Sequence, residues 1–174
     1  MKHLFRRAIW VLLAVMPIIG CGYTQKVQMP NDIKTLAVPT FTNVIKAKQI
    51  YSYQSGLEVR LTNALRDRIQ FDGNVKLAEP KQADAVLIGK LTQYIQEPIG
   101  YDNLERVNRY RLTIGTDLVL KDLRTNKVIW HEPYFTGEVI YVLQGQGSIT
   151  EQQAANNAIA RYARDVVDRM VEDW

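Results

Sequence analysis

Few side chains of this 174-residue chain could do chemistry. Cys21 is its only cysteine, and His131 is the only histidine beyond the first few residues. A lone histidine in a strand-like pattern is typical of a surface position, and no group of His, Cys, Asp and Glu has the spacing of a metal site. The sequence also has no glycine-rich phosphate loop and no nucleophile motif. We therefore expect no enzyme activity, which leaves Cys21 as the residue with a chemical role.

Cys21 ends a segment that is typical of a secretory signal. Three cations among the first seven residues precede an apolar run over residues 8–19, which is shorter than the roughly 20 residues that span a bilayer. The run ends in Ile-Ile-Gly-Cys, which resembles the lipobox of bacterial lipoproteins. Only a thiol can take the diacylglyceryl thioether, and only a small residue such as Gly20 fits the signal peptidase. The alternative is an ordinary signal peptide with an incidental cysteine.

The lipobox divides the chain into three parts. We expect residues 1–20 to be a lipoprotein signal peptide, residues 21–32 a lipidated tether and residues 33–174 a single domain. Loss of the signal removes three cations, so the net charge falls from +4 to +1 and gives no reason to expect nucleic acid as a partner. Acyl chains such as palmitate on Cys21 would anchor the protein, with no other cofactor. By analogy with known lipoproteins, Gly22 favours the outer membrane.

Two segments have helical periodicity. In the first, Ser55 and Glu58 fit a capping box, and Gly73 is a natural stop. In the second, from about Thr150 to Val171, either Thr150 with Gln153 or Ser148 with Glu151 could form the cap. The apolar residues of the two helices recur at helical spacing: Leu57, Leu61, Ala64, Leu65 and Ile69, then Ala155, Ile159, Tyr162, Val166 and Met170.

The other ordered segments have strand patterns. They cover residues 33–41, 75–78, 83–95, 109–121 and 127–141. Residues 109–121 alternate between apolar and polar side chains, which predicts a sheet with one packed and one wet face. Pro133 indicates an edge position or a bulge, and residues 98–107 are predicted as a polar hairpin connection. The order of elements predicts an α+β two-layer sandwich, with a mostly antiparallel sheet of four to five strands and two helices packed on one face.

Several stretches together resemble one family. They are Cys21-Gly22-Tyr23, residues 33–41, Gly56-Leu57-Glu58, residues 83–89, residues 121–125 and the C-terminal helix that ends at Trp174. This ordered set is similar to the LptE family, outer-membrane lipoproteins of lipopolysaccharide assembly. The resemblance implies a protein that plugs the LptD β-barrel, helps it assemble and binds lipopolysaccharide, without catalysis. It also implies an outer-membrane, lipid-anchored domain, on the periplasmic side or within the barrel lumen.

A cluster of cations is the candidate ligand site. Arg106, Arg109 and Arg111 lie close together at the predicted hairpin, and guanidinium groups pair well with the phosphates of lipid A. We predict that they contact lipopolysaccharide, with Lys121 and Arg124 at the other end of the strand as the second choice. This prediction depends on charge clustering alone.

Two alternatives remain at this stage. The arginines could form a solvated face, or pair with Asp102, Glu105 and Asp117. The protein could also be an envelope adaptor or structural lipoprotein that binds another periplasmic or outer-membrane protein instead of lipopolysaccharide.

Overall fold

The computed structural model describes residues 32–45 and 55–172. Cys21 and the predicted signal peptide lie outside the described residues, as does all of the predicted tether before Asp32. Within the described ranges the elements are β1 (Thr35–Ala37), β2 (Thr42–Asn43), α1 (Leu57–Asp72), β3 (Lys76–Leu77), β4 (Ala85–Tyr101), β5 (Val107–Asp122), β6 (Val128–Val142) and α2 (Glu151–Glu172). The α+β class is thus confirmed, but this part of the chain has six strands instead of four or five.

The sheet is built around two long antiparallel pairs. Its order is β3-β1-β4-β5-β6, and β2 also pairs with β4, further along that strand than β1. β4 with β5 and β5 with β6 are antiparallel, whereas the short β1, β2 and β3 make parallel pairs. The predominance of antiparallel pairing matches the prediction, and β3 and β6 are the edges of the sheet.

Helix α1 differs from the prediction at its start. Gly56 is the N-cap residue, with a φ of 79° in the left-handed region, and no side chain caps the helix there. The predicted Ser55–Glu58 capping box is therefore wrong, because the helix begins one residue later than that motif requires. The predicted end is confirmed: Gly73 has a φ of 72°, and its N–H donates to the carbonyl of Ile69 over 3.1 Å.

Of the two caps predicted for helix α2, the structure has the one formed by Thr150 and Gln153. The Thr150 N–H donates to Gln153 Oε1 over 2.9 Å, and the Gln153 N–H donates to Thr150 Oγ1 over 3.2 Å. This reciprocal pair satisfies two of the free donors at the helix start. The predicted apolar stripe of α2 is buried along its whole length.

The β4–β5 hairpin is longer than the sequence suggests. β4 continues to Tyr101, so the predicted connection over residues 98–107 is wrong, and only five residues, 102–106, join the strands. Pro98 pairs with Tyr110, next to a register shift between Pro98 and Gly100. A proline is tolerated there because an irregular pair does not need its missing N–H.

Pro133 lies where the sequence places it. Thr116 pairs with Phe135 and Leu118 with Glu132, so β6 has one residue more than β5 across Pro133. The proline is therefore at a bulge as well as on an edge strand, and both predicted options hold.

The core joins both helices to the sheet. The Tyr162 hydroxyl of α2 hydrogen-bonds the Thr116 hydroxyl of β5 over 2.7 Å. Near α1, a Cβ on Gly89 would lie 2.4 Å from the Phe41 ring, so only glycine fits beneath that ring. One buried apolar cluster includes residues of α1, α2, β1, β4 and β5. These contacts agree with the two-layer sandwich, although the layering stays a prediction.

No helix among residues 32–45 and 55–172 combines the length and apolar character needed to cross a membrane.

Candidate functional site

The candidate site lies in the far half of the β4–β5 hairpin, at residues 95–111. None of the residues from 95 to 111 is buried, although Tyr110 packs in part against the core. We call residues 95–111 the hairpin tip. At its base the Tyr110 and Tyr141 rings stack with centroids 5.8 Å apart, and Gln96 Nε2 donates to the Tyr141 hydroxyl. These contacts tie the hairpin tip to β6.

Arg106 is held within its own turn. Its Nη2 lies 2.7 Å from Asp102 Oδ2, and its Nε donates to the same oxygen over 2.8 Å. The backbone N–H groups of Leu104 and Arg106 both donate to Asp102 Oδ1. The backbone and side chain of Arg106 lower the pKa of Asp102 below its ordinary value. Asp102 therefore neutralises much of the Arg106 charge. For this residue, the structure agrees with the alternative that the arginines pair with nearby carboxylates.

Arg109 is a second exposed cation of the hairpin tip. It makes no ion pair within the described part of the chain. Its partner across β4 is Gly100, and a Cβ there would lie 3.0 Å from the Arg109 Cβ. Gly100 therefore leaves room for the aliphatic part of the Arg109 side chain. No carboxylate of the described residues pairs with the guanidinium.

Arg111 points to the same face of β5 as Arg109, because they are two residues apart. Its Nε lies 3.8 Å from Glu138 Oε2 on β6, too far for a hydrogen bond. That same Nε is buried and has no hydrogen-bond partner. Arg111 is thus loosely paired with Glu138, a carboxylate that the alternative did not include.

Lys121 and Arg124 lie at the other end of β5. Ten residues separate Arg111 from Lys121, which is about 33 Å along a strand. Arg124 Nη2 is 3.1 Å from Asp122 Oδ2, and Asp122 is only 2% exposed. Lys121 stands between Val86 and Val128 on the outer face and has no ion pair among the described residues. The structure therefore separates the five predicted residues into two groups that one small ligand could not contact together.

Exposed apolar side chains surround the arginines. Leu104 is 70% exposed in the turn, and Tyr101 is 61% exposed at the end of β4. Tyr101 pairs with Val107, one register shift away from the Gly100–Arg109 pair, and the exposed Ile140 stands opposite Arg111. Sequence reasoning missed these residues because it placed Tyr101 in a polar loop. Continued alternation through Ile95, Ile99 and Tyr101 was a signal that could have found the strand.

Further along the outer face, the charges are paired. His131 Nε2 lies 2.7 Å from Asp117 Oδ1, and Lys90 Nζ lies 3.4 Å from Asp117 Oδ2. His131 is therefore an exposed partner of a carboxylate. Within the described ranges, no group of three or more His, Cys, Asp and Glu residues could hold a metal ion.

The fold occurs in other bacterial proteins of low sequence identity. A hypothetical protein from Chlamydia trachomatis is 11% identical with a TM-score of 0.53, over 79% of this chain and 95% of that one. A Xanthomonas campestris protein is 12% identical with a TM-score of 0.53, over 80% and 82% of the two chains. A minor lipoprotein from Acinetobacter baumannii is 14% identical with a TM-score of 0.48, over 80% and 93%. The first two show a shared fold and nothing further.

Comparison with family models gives a direct assignment. No curated protein matches the sequence. The model of the lipopolysaccharide-assembly family LptE matches residues 33–174, which is the whole predicted domain. The match covers far more than half of the chain, and it agrees with the resemblance seen in the sequence motifs. The protein is therefore a member of the LptE family of lipopolysaccharide-assembly proteins.

Proposed function

We propose that this protein is an outer-membrane lipoprotein, acylated at Cys21, that plugs an LptD-type β-barrel, helps it assemble and binds lipopolysaccharide. The family match over residues 33–174 supports an envelope lipoprotein of lipopolysaccharide assembly that is located at the outer membrane. The role is one of binding and assembly, without catalysis.

The outer face of the sheet suits a barrel lumen. The lumen of a large outer-membrane barrel is polar. Lys90, Asp117 and His131 present a compensated mixture of charges on this face. These three paired groups can meet a polar wall without burying an unpaired charge, which would be costly. The insertion of this domain in a barrel is therefore physically reasonable.

The hairpin tip suits an amphiphilic anion. Lipid A carries phosphates next to acyl chains, and the hairpin tip carries cations next to exposed apolar groups. The observation that carries this part of the proposal is Arg109, an exposed guanidinium with no ion pair in the described ranges, on the same face of the sheet as the exposed Ile140. A phosphate can form bidentate hydrogen bonds with it without displacing a carboxylate. Arg111 is the second contact, and Arg106 contributes less because Asp102 already binds it.

Binding of lipopolysaccharide by single variants tests this ranking. Arg109→Ala should weaken binding by about tenfold or more, as expected for the loss of a hydrogen bond to a charged group. Arg106→Ala should have a smaller effect, and the salt dependence of the affinity should fall in Arg109→Ala. Arg164→Ala, which removes an exposed cation of α2, is the matched control and should bind like the parent.

Two outcomes would contradict the assignment of the ligand site. One is an Arg109→Ala variant that binds as tightly as the Arg164→Ala control. The other is a Lys121→Ala variant with the larger loss, which would move the site to the far end of β5. If the full chain binds no lipopolysaccharide but captures a soluble periplasmic protein, the adaptor function replaces the one proposed here.

A further inference from the structure

A pocket of about 640 Å³ lies beside the C-terminal ends of the short parallel strands β1 and β3. Its walls include Val38 and Pro39 after β1, Leu77 and Pro80 around the end of β3, and Arg66 from α1. None of its lining residues belongs to the hairpin tip, so it is separate from the proposed lipopolysaccharide site. Crevices at the carboxyl ends of parallel strands are common ligand sites.

The pocket exists because β3 stops early. The Ala78 N–H donates to the Leu36 carbonyl over 3.0 Å, and this hydrogen bond ends the pairing of the two segments. Alternate residues of a parallel strand face the same neighbour. The carbonyl of Val38, two residues after Leu36, therefore points to the place where β3 would have continued.

Arg66 takes that place. Its Nε and Nη2 donate to the Val38 carbonyl over 3.0 Å and 2.7 Å. These two bonds fix the plane of the guanidinium and leave its Nη1–Nη2 edge available. Nη1 makes only a long contact of 3.4 Å with Asn63 Oδ1. The group is thus oriented before any ligand arrives, which lowers the entropic cost of binding.

Arg66 has no carboxylate partner in the described part of the chain. The half-buried guanidinium makes no ion pair there. Of the residues outside the description, 1–31 and 46–54 contain no Asp or Glu, and Asp173 is the one acidic side chain. Glu79 is the one carboxylate among the lining residues that the structure describes, and it is exposed and more than 4 Å from the guanidinium. A partly buried cation without a counter-ion attracts an anion from solution.

We propose that this pocket binds a small monocarboxylate with a short hydrocarbon chain. The carboxylate would accept hydrogen bonds from the free edge of Arg66, and the chain would contact Pro39, Leu77 and Pro80. One guanidinium with Glu79 on the same wall favours a single negative charge over a phosphate dianion, because like charges repel. The inference does not depend on the proposed role in lipopolysaccharide assembly.

Titration of the full chain in detergent with hexanoate tests the proposal. Two-dimensional ¹H–¹⁵N NMR should show saturable shifts of the Arg66 Nε–H and the Leu77 amide, with a Kd on the order of 1 mM. Inorganic phosphate at equal ionic strength should bind more weakly. Arg66→Gln should weaken hexanoate binding about tenfold or more, whereas the exposed control Arg164→Gln should leave it unchanged.

A second variant keeps the test valid if Arg66→Gln is unfolded. Glu79→Gln removes an exposed like charge and touches no core contact, so it should tighten hexanoate binding by roughly twofold. Absence of saturable shifts, equal binding by Arg66→Gln, preference for phosphate, or no gain in Glu79→Gln would each overturn the proposal. Because these readouts do not involve lipopolysaccharide, their failure is distinguishable from failure of the proposed function.

Discussion

Asp122 shows how a single residue organises a turn of this protein. Its carboxylate is buried and accepts hydrogen bonds from the backbone N–H groups of Arg124 and Thr125 and from the Arg124 guanidinium. The hydrogen bond from the Arg124 side chain is the largest cause that lowers the pKa of Asp122 from 3.8 to about 2. The folded protein therefore favours the ionised form more than the unfolded chain does.

This shift predicts a pH dependence of stability. Because the folded pKa is the lower one, the stabilisation is present above pH 3.8 and is lost as the pH falls towards about 2. Asp122→Asn should be less stable than the parent at pH 6, and the difference should shrink between pH 4 and pH 2. Urea unfolding of both proteins at these pH values measures it. A difference that stays constant down to pH 2 would show that ionisation of Asp122 is not the cause.

Not every residue-level pairing was predictable. Arg106 and Asp102 are four residues apart in one turn, so their pairing follows from local sequence, and the alternative included it. The contact of Arg111 with Glu138 depends on the register between β5 and β6, which composition and periodicity do not specify. The lack of an ion pair at Arg109 likewise could not be predicted, because it depends on strand register, which places Gly100 and no carboxylate opposite Arg109 on β4.

Among the helices and strands, the sequence periodicity correctly predicted the features that depend on local sequence. The apolar stripes of both helices and the alternation of β5 were predicted because burial follows the 3.6-residue and 2-residue repeats. The strand predicted over residues 75–78 is confirmed as β3, whereas the extension of β4 through Pro98 and the two-residue strand β2 were not predicted. Pairing with distant strands stabilises these segments, and it overrides the local effect of proline and glycine.

Two glycines of the sheet test how the elements pack. A Cβ at Gly89 would lie 2.4 Å from the buried Phe41 ring, whereas a Cβ at Gly115 would lie 2.3 Å from the partly exposed and flexible Gln93 side chain. Gly89→Ala should therefore cost about 1–3 kcal/mol of unfolding free energy, as overpacked core sites do. Gly115→Ala is the matched control, because Gln93 can rotate into solvent, and it should be close to neutral.

Urea unfolding at neutral pH measures both variants. An equal dependence of the unfolding free energy on urea concentration would show that both unfold in the same transition. Equal losses in the two variants would contradict the packing of β4 against Phe41.

At the scale of the molecule, the domain has a packed end and an open end. The core occupies the half of the sheet covered by helix residues, and the hairpin tip continues beyond it with no buried residue from 95 to 111. In the proposed function, the packed end gives stability and the hairpin tip gives the ligand contact.

We propose that Cys21 anchors this domain at the outer membrane, where the domain acts inside a barrel partner. The most direct measurement is extraction of the full chain from outer membranes with a mild detergent, followed by identification of what co-purifies. A Cys21→Ser variant is the control, since it should lose acylation and membrane fractionation. We expect a large β-barrel and lipopolysaccharide to co-purify with the parent chain. Unaltered fractionation of Cys21→Ser, or a soluble periplasmic partner in place of the barrel, would contradict it.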